Sequence, residues 1–162
     1  MTSIVPACAG DVAAIHRLDR THSHVFNNAT SYERFIDAPA GLLLVCRQGE
    51  RVVGFAAFSM VIDEATLLNL VVDPGFRRDG NARELMTVAL HELRASALRR
   101  VLLELRESND AAMALYASLG FSVDGRRPGY YPAQTPGAVH TSCGREAAVL
   151  MSLDLETSHA CA

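Results

Sequence analysis

The stretch that most constrains the fold of this chain is an apolar run, followed by a turn of small and basic residues and then a helix pattern. Residues 67–72 (LLNLVV) are typical of a buried strand, and Asp73-Pro74-Gly75 ends it, because proline cannot donate to a sheet ladder. Apolar residues at helical spacing begin again at Leu85. The sequence therefore predicts a strand–turn–helix unit here.

The turn in this unit has the composition of an anion site. The first N–H groups of a helix lack intrahelical acceptors, and the helix dipole places about half a positive charge there. Gly80 and Ala82 leave room for a phosphate to approach the backbone closely. An ordinary strand-to-helix connection that contains a glycine is the alternative, and the pattern alone does not separate the two.

Length, composition and charge exclude several classes of protein. The 162 residues suit one domain, expected at 1–155 with a short tail at 156–162. The chain is 49% apolar and 20% charged, which is typical of a soluble globular protein. A net charge of −3 argues against nucleic-acid binding. We find neither a signal-peptide pattern nor an apolar run of about 18 residues, so we expect no membrane span and a cytoplasmic location.

The four cysteines are far apart and never form a C-x-x-C pair, which favours reduced thiols over a disulfide framework. His22 and His24 form an isolated H-x-H pair that is more typical of a polar helix end than of metal ligands. We therefore predict no metal.

The patterns before this unit predict a strand, two helices and an antiparallel meander. Asp11 is expected to cap the first helix, and the capping-box spacing of residues 30–33 predicts a second short helix. Strands are expected at 3–7, 42–47 and 52–62, with a hairpin turn at 48–50, and the strand that ends at Val72 is expected to start at Ala65, after a tight connection at 63–64.

The patterns after this unit predict a strand at 100–105, a helix at 109–119 closed by Gly120, and strands at 121–130 and 147–155. Residues 132–144 are rich in Pro, Gly, Ser and Thr and are expected to form a long loop. The whole order predicts an α/β protein with a mixed sheet and helices on its faces.

Three segments in series resemble the GNAT family of acyl-CoA-dependent N-acetyltransferases. They are the turn at 78–83, the strand RVLLELRESN and the segment AAMALYASLGF. The segments DEATLLNLVVDP and GYYP are similar to those of the RimI group, whose members acetylate the N-terminal alanine of a ribosomal protein. The resemblance implies a mixed, mostly antiparallel sheet of about seven strands with about four helices, and acetyl-CoA as cosubstrate.

The resemblance also implies a coenzyme site. The family's phosphate turn corresponds to Arg77, Gly80 and Ala82, so the backbone from Arg78 to Arg83 is expected to bind pyrophosphate. The residues concerned are Arg78, Asp79, Gly80, Asn81, Ala82 and Arg83. Asn81 occupies a position that is usually apolar, where it either weakens the packing or turns outward and caps the helix. Leu70, Val71 and Val72 are expected to receive the pantetheine arm, and the alternative is an ordinary core strand.

Glu104 interrupts an otherwise apolar strand, where a buried charge is costly unless it is paired or functional. One interpretation is a sheet residue paired with an arginine such as Arg106. The resemblance implies instead the general base that takes a proton from the acceptor amine.

Tyr116 and Asn109 lie on the helix that follows the Glu104 strand. By their positions alone they are a core aromatic residue and a helix N-cap. The resemblance implies that Tyr116 is the general acid that protonates the leaving thiolate, and that Asn109 contacts the coenzyme.

Tyr130 and Tyr131 are expected to bind the acceptor, together with the loop that follows them. The leading hypothesis is acetylation of a protein N-terminus, with a ribosomal protein as the candidate acceptor. Acetylation of a small amine or a lysine, and a non-catalytic acyl-CoA-binding module, are the alternatives. The sequence does not specify an oligomeric state.

Overall fold

The described part of the chain forms seven strands and three α-helices. A computed structural model describes residues 1–22, 31–132 and 144–155. Its strands are β1 (Ser3–Pro6), β2 (Gly41–Gln48), β3 (Arg51–Val61), β4 (Glu64–Val72), β5 (Arg100–Arg106), β6 (Ser122–Pro132) and β7 (Arg145–Asp154). Its α-helices are α1 (Val12–His22), α2 (Asn81–Ala95) and α3 (Asp110–Ser118). The predicted loop at 132–144 and the tail at 156–162 fall largely or wholly outside the described residues.

The described chain divides into two compact units. The first unit contains Met1–Val101 together with Leu155, whose N–H donates to the Arg99 carbonyl at 2.7 Å. The second unit is Leu102–Asp154, so the boundary falls within β5.

In the first unit, β1 to β4 are neighbours in chain order and every pair is antiparallel. The predicted meander is therefore confirmed. Gly49 turns the β2–β3 hairpin with a φ of 58°, in the left-handed region that glycine adopts readily. At the β3–β4 hairpin, Ile62 is 97% exposed and adopts a φ of 59°.

The apolar core of the first unit lies between α1 and the meander. Its buried residues include Ile15, Leu18, Phe35, Val45, Phe55 and Val71. Helix α1 supplies two of these buried side chains, Ile15 and Leu18.

A polar cluster, Asp19–Tyr32–Asn69, lies beside this core and was not predicted. The Tyr32 hydroxyl and the Asn69 amide both donate to the Asp19 carboxylate, at 2.9 Å and 2.7 Å. Burial raises the pKa of Tyr32. Because the buried polar groups have partners, they fix α1 against β4 without the cost of unsatisfied burial.

Two local predictions in the first unit were wrong. Asp11 does not cap α1 directly: a 3-10 turn, Ala9–Asp11, runs into the helix, and the Asp11 carboxylate accepts from the Cys8 N–H at 2.9 Å and from Arg47. The short helix predicted near residues 31–37 is only a 3-10 turn, Tyr32–Phe35. In both places a side chain able to cap has another partner: Asp11 pairs with Arg47, which is distant in the chain, and Ser31 donates to Glu33, two residues on.

In the second unit, β7 lies between β5 and β6, and β6 pairs antiparallel with β7. Helix α3 ends at Ser118 with Leu119 as its C-cap, and Gly120, predicted to close the helix, follows with a φ of 94°, the left-handed conformation typical of this position. Within the described residues there are seven strands and three α-helices rather than about four. The predicted class, a mixed and mostly antiparallel α/β sheet of about seven strands, is confirmed.

Gly54 of β3 lies opposite Val72 of β4. A Cβ added there would lie 2.9 Å from the Val71 carbonyl oxygen. Gly54→Ala is therefore expected to lower the free energy of unfolding by about 1–3 kcal/mol, measured by urea denaturation. Gly125→Ala is the control, because its Cβ would meet no heavy atom within 4 Å. Equal losses of stability in the two variants would show that the contact with the Val71 carbonyl is not the cause.

Candidate active site

The turn between β4 and α2 is held to the end of its strand by side-chain hydrogen bonds. Asp73 accepts from the Gly75 N–H at 3.0 Å and begins the 3-10 turn Pro74–Phe76. The guanidinium of Arg77 then donates to the Val72 carbonyl at 3.0 Å. These contacts fix the direction in which the chain leaves β4.

Two residues of this turn adopt left-handed backbone conformations, Arg78 with a φ of 68° and Gly80 with a φ of 83°. Glycine adopts this region at little cost, whereas for arginine it is uncommon. Arg78, Asp79 and Gly80 are all exposed. Sparsely populated backbone conformations of this kind are concentrated at binding and catalytic sites.

Helix α2 begins directly after Gly80, which is its N-cap and offers no side chain. The first intrahelical bond runs from the Glu84 N–H to the Gly80 carbonyl at 2.9 Å. The N–H groups before Glu84 therefore have no intrahelical acceptor, as at any helix start. This exposed helix terminus has the geometry of an anion site, and coenzyme binding by residues 78–83 stays a prediction.

Asn81 does not turn outward to cap the helix, which was one of the two expectations for this residue. Its side chain is only 4% exposed, and its amide donates to the Phe76 carbonyl at 2.8 Å. Its Oδ1 accepts from Thr2 at 2.9 Å and is 3.7 Å from the Cys46 sulfur. The position is buried like an apolar one, but its polar atoms have partners that the sequence pattern could not reveal.

Leu70, Val71 and Val72 form the end of β4 and pair with residues 54–56 of β3. Val71 and Val72 are buried, and Leu70 is partly buried. Their role in binding the pantetheine arm stays a prediction.

Glu104 lies in the middle of β5 and is held by two residues of β6. Its Oε2 lies 3.2 Å from Nη1 of Arg127, and its Oε1 accepts a hydrogen bond from the Tyr131 hydroxyl at 3.3 Å. The Glu104 side chain is 24% exposed. A carboxylate that is paired but still accessible can meet an incoming amine.

The pairing of Glu104 with Arg106, one interpretation of the sequence, is wrong. Arg106 is buried and donates instead to the Glu146 carboxylate and the Pro132 carbonyl, each at 2.7 Å. Hydrogen bonds from Ser108, together with Arg106, hold the pKa of Glu146 below its usual range. Residues two apart in a strand lie on the same face, so the sequence allowed this pair, but the folded chain gives Glu104 a different arginine, Arg127.

Tyr130 and Tyr131 lie beside Glu104 and differ in exposure. Tyr131 is 8% exposed and its ring lies under the Arg106 guanidinium, 4.5 Å away, whereas Tyr130 is 41% exposed. Burial, followed by the charge of Glu104, raises the pKa of Tyr131 to about 12. Tyr131 therefore keeps its proton at neutral pH and donates a hydrogen bond to Glu104, and Tyr130 is the more accessible of the two for an acceptor.

Sequence reasoning missed Arg127 and Arg145. Arg145 donates to the Gly129 and Tyr130 carbonyls at 2.6 Å and 2.8 Å, and this holds an irregular part of β6 in place. The only sequence signal for this irregularity is Pro128-Gly129, which disfavours a regular strand.

Asn109 and Tyr116 occupy the positions predicted for α3. Asn109 is the N-cap, and its Oδ1 accepts from the Ala112 N–H at 3.2 Å. Tyr116 is 6% exposed and packs against Phe121, with ring centroids 5.8 Å apart. Burial raises the pKa of Tyr116, so its phenol keeps its proton at neutral pH. The interpretation of Asn109 as a helix N-cap and of Tyr116 as a core aromatic residue is therefore confirmed. The coenzyme contact of Asn109 and the general-acid role of Tyr116 stay predictions.

The described residues contain no group of three or more His, Cys, Asp or Glu side chains placed to hold a metal. In the same part of the chain, no helix has the length and apolar character needed to cross a membrane.

Comparison with solved structures shows the fold. The crystal structure of ribosomal-protein-S18-alanine N-acetyltransferase from Escherichia coli matches with a TM-score of 0.81 and 32% identity, covering 100% of this chain and 99% of that one. YncA from Salmonella typhimurium, solved with its cofactor acetyl-CoA, matches with a TM-score of 0.73 at 20% identity, over 96% of this chain and 95% of that one.

Comparison of sequences shows the family. The chain matches the acetyltransferase (GNAT) family over residues 12–121. It is 35% identical over 147 residues to the ribosomal protein bS18-alanine N-acetyltransferase of Escherichia coli K12, covering 88% of this chain and 90% of that relative. Because both matches extend over most of the chain, this protein belongs to the GNAT family of acetyltransferase enzymes.

Proposed function

We propose that this protein transfers an acetyl group from acetyl-CoA to the N-terminal α-amine of a protein, with the N-terminal alanine of a ribosomal protein as its acceptor. The main observation behind this proposal is the accessible carboxylate of Glu104, which residues of β6 hold in place. The chain around it aligns with 90% of a bS18-alanine acetyltransferase. The family match crosses the boundary at Val101, so residues 1–155 are proposed to act as one N-acetyltransferase domain. A ribosomal acceptor would place the reaction in the cytoplasm.

The coenzyme is proposed to bind along the end of β4 and the start of α2. The N–H groups of residues 78–83 would receive the pyrophosphate, helped by the helix dipole and the guanidinium of Arg78. Since the Asn81 side chain is buried, this residue would bind the pyrophosphate through its backbone N–H and not through its side-chain amide. A backbone N–H at residues 70–72 would stabilise the oxyanion of the tetrahedral intermediate. Asn109 would contact the coenzyme from the start of α3.

The proposed reaction is direct attack of the amine nitrogen on the thioester carbonyl carbon. Glu104 takes one proton from the ammonium form of the acceptor, directly or through water, and so frees the nitrogen lone pair for attack; the second proton that the nitrogen loses as the carbon–nitrogen bond forms passes to water. Collapse of the intermediate breaks the carbon–sulfur bond, and Tyr116 donates its phenolic proton to the leaving thiolate. The raised pKa of Tyr116 keeps that proton available at neutral pH.

An α-amine suits this chemistry better than a lysine side chain. With a pKa near 7.8, about 30% of an α-amine is neutral at pH 7.4, compared with about 0.1% of a lysine near 10.4. The carboxylate of Glu104 therefore needs to remove the proton from only part of the acceptor population.

The acceptor is tested with an acetyl-transfer assay on three classes of amine. A peptide that begins with alanine and has a ribosomal-protein sequence is expected to be acetylated at least about tenfold faster than a small amine. The same peptide with a blocked N-terminus and free lysines is expected to be inert. Equal rates on the blocked peptide would defeat the N-terminal assignment.

Glu104→Gln is expected to lower kcat about 10²- to 10³-fold at pH 7.4, because it removes the base but preserves the size of the side chain. The deficit should shrink at pH 9, where about 90% or more of an α-amine is already neutral. Glu107→Gln is the matched control, since Glu107 lies just beyond the same strand and pairs with Arg126. If Glu104→Gln turns over at the parental rate at pH 7.4, Glu104 is not the base.

Tyr116→Phe is expected to lower kcat about 10- to 100-fold while the KM for acetyl-CoA stays close to that of the parent, because only the proton donor is lost. The ring contact with Phe121 remains, so the midpoint of urea unfolding should not change. Steady-state kinetics and urea unfolding are measured on the same preparation. An unchanged kcat would rule out Tyr116 as the general acid.

A further inference from the structure

The carboxylate of Glu104 already has a cationic partner, the guanidinium of Arg127, 3.2 Å away. The side chains of Arg127 and Glu104 are 51% and 24% exposed. Ion pairs in such exposed positions contribute little stability, because water competes for both charges. Another cation can therefore replace Arg127 at small cost.

Arg127 reaches Glu104 because of a bulge in β6, formed by residues 128–130. Arg127 and Tyr131 are four positions apart on β6. Their partners on β7, Ala148 and Glu146, are only two positions apart. Gly129 adopts a φ of 60° within this bulge, and Arg145 binds its carbonyls. The bulge thus brings both side chains that flank it to the same carboxylate.

Arg127 has a second contact that does not depend on Glu104. Its guanidinium carbon lies 4.9 Å from the centroid of the Tyr130 ring. Cation–π contacts at exposed sites are weak but keep a guanidinium near the ring face. If the ion pair opens, the Tyr130 ring still holds Arg127 close by.

We infer that Arg127 is a displaceable counter-ion of Glu104, and that the ammonium group of the acceptor takes its place when the acceptor binds. About 70% of an α-amine arrives protonated at pH 7.4, so it competes with Arg127 as a cation. Exchange of one cation for another leaves Glu104 paired throughout, which avoids the cost of an unpaired and partly buried carboxylate. The inference rests on the proposed function, because it takes Glu104 as the group that meets the acceptor amine.

Arg127→Gln tests this inference, because it removes the competing charge and keeps a long polar side chain. The KM and the directly titrated Kd for an alanine-starting peptide are expected to fall about two- to fivefold, the range that an exposed ion pair permits. The KM for acetyl-CoA should stay unchanged. Arg126→Gln is the matched control: Arg126 is the neighbouring residue, loses the same charge and pairs with Glu107 at 2.9 Å.

Three outcomes would overturn the inference. They are an unchanged or higher peptide Kd in Arg127→Gln, a lower kcat with an unchanged peptide KM, and an equal fall in Kd in Arg126→Gln. The second would make Arg127 a positioning residue, and the third would show a general effect of charge.

The double variant Glu104→Gln/Arg127→Gln separates this inference from the proposed function. In the Glu104→Gln background, Arg127→Gln should no longer change the peptide Kd, because the carboxylate for which the two cations compete is gone. A persistent fall in Kd would overturn the inference. If the effect disappears as expected while Glu104→Gln keeps full turnover, the counter-ion role stands and only the proposed base role fails.

Discussion

The start of helix α2 depends on one buried amide, that of Asn81. It joins the carbonyl of Phe76 to the hydroxyl of Thr2, and so ties the turn after β4 to the beginning of the chain. A buried amide is stabilising only when its donors and acceptor are satisfied, since an orphaned polar group costs about 1–3 kcal/mol. These bonds hold the turn in one arrangement. If residues 78–83 bind the pyrophosphate as proposed, a turn held in this way would lose little conformational entropy on binding.

A comparable constraint operates in the second unit, where the bulge of β6 surrounds Glu104 with a phenol and a guanidinium. Arg145 supplies the hydrogen bonds that the irregular backbone would otherwise lack. Glu104 is thereby oriented through Tyr131 but remains paired with a cation that is more than half exposed. This arrangement suits the role proposed for Glu104, that of a base that meets a charged amine.

Prediction from the sequence succeeded where local pattern and tertiary packing agree. The alternation and apolar runs of β2 to β5 and the capping residues of α3, Asn109 and Gly120, placed these elements to within about two residues. It failed at Asp11 and at residues 31–37, where side chains able to cap a helix bind other partners. It also failed to find the Asp19–Tyr32–Asn69 cluster, because its members are up to 50 positions apart in the chain.

Local sequence patterns were enough to specify the order of the seven strands, the glycine-containing turn before α2, the carboxylate within an apolar strand and, through these motifs, the GNAT family. Each of these features depends on residues that are close together in the chain, where backbone preferences and hydrophobic periodicity act. Only the tertiary structure decided that Asn81 is buried and satisfied, that Glu104 pairs with Arg127 and not Arg106, and that Arg145 holds the bulge between Arg127 and Tyr131. These choices depend on which strands become neighbours and in what register, and contacts between residues distant in sequence determine both.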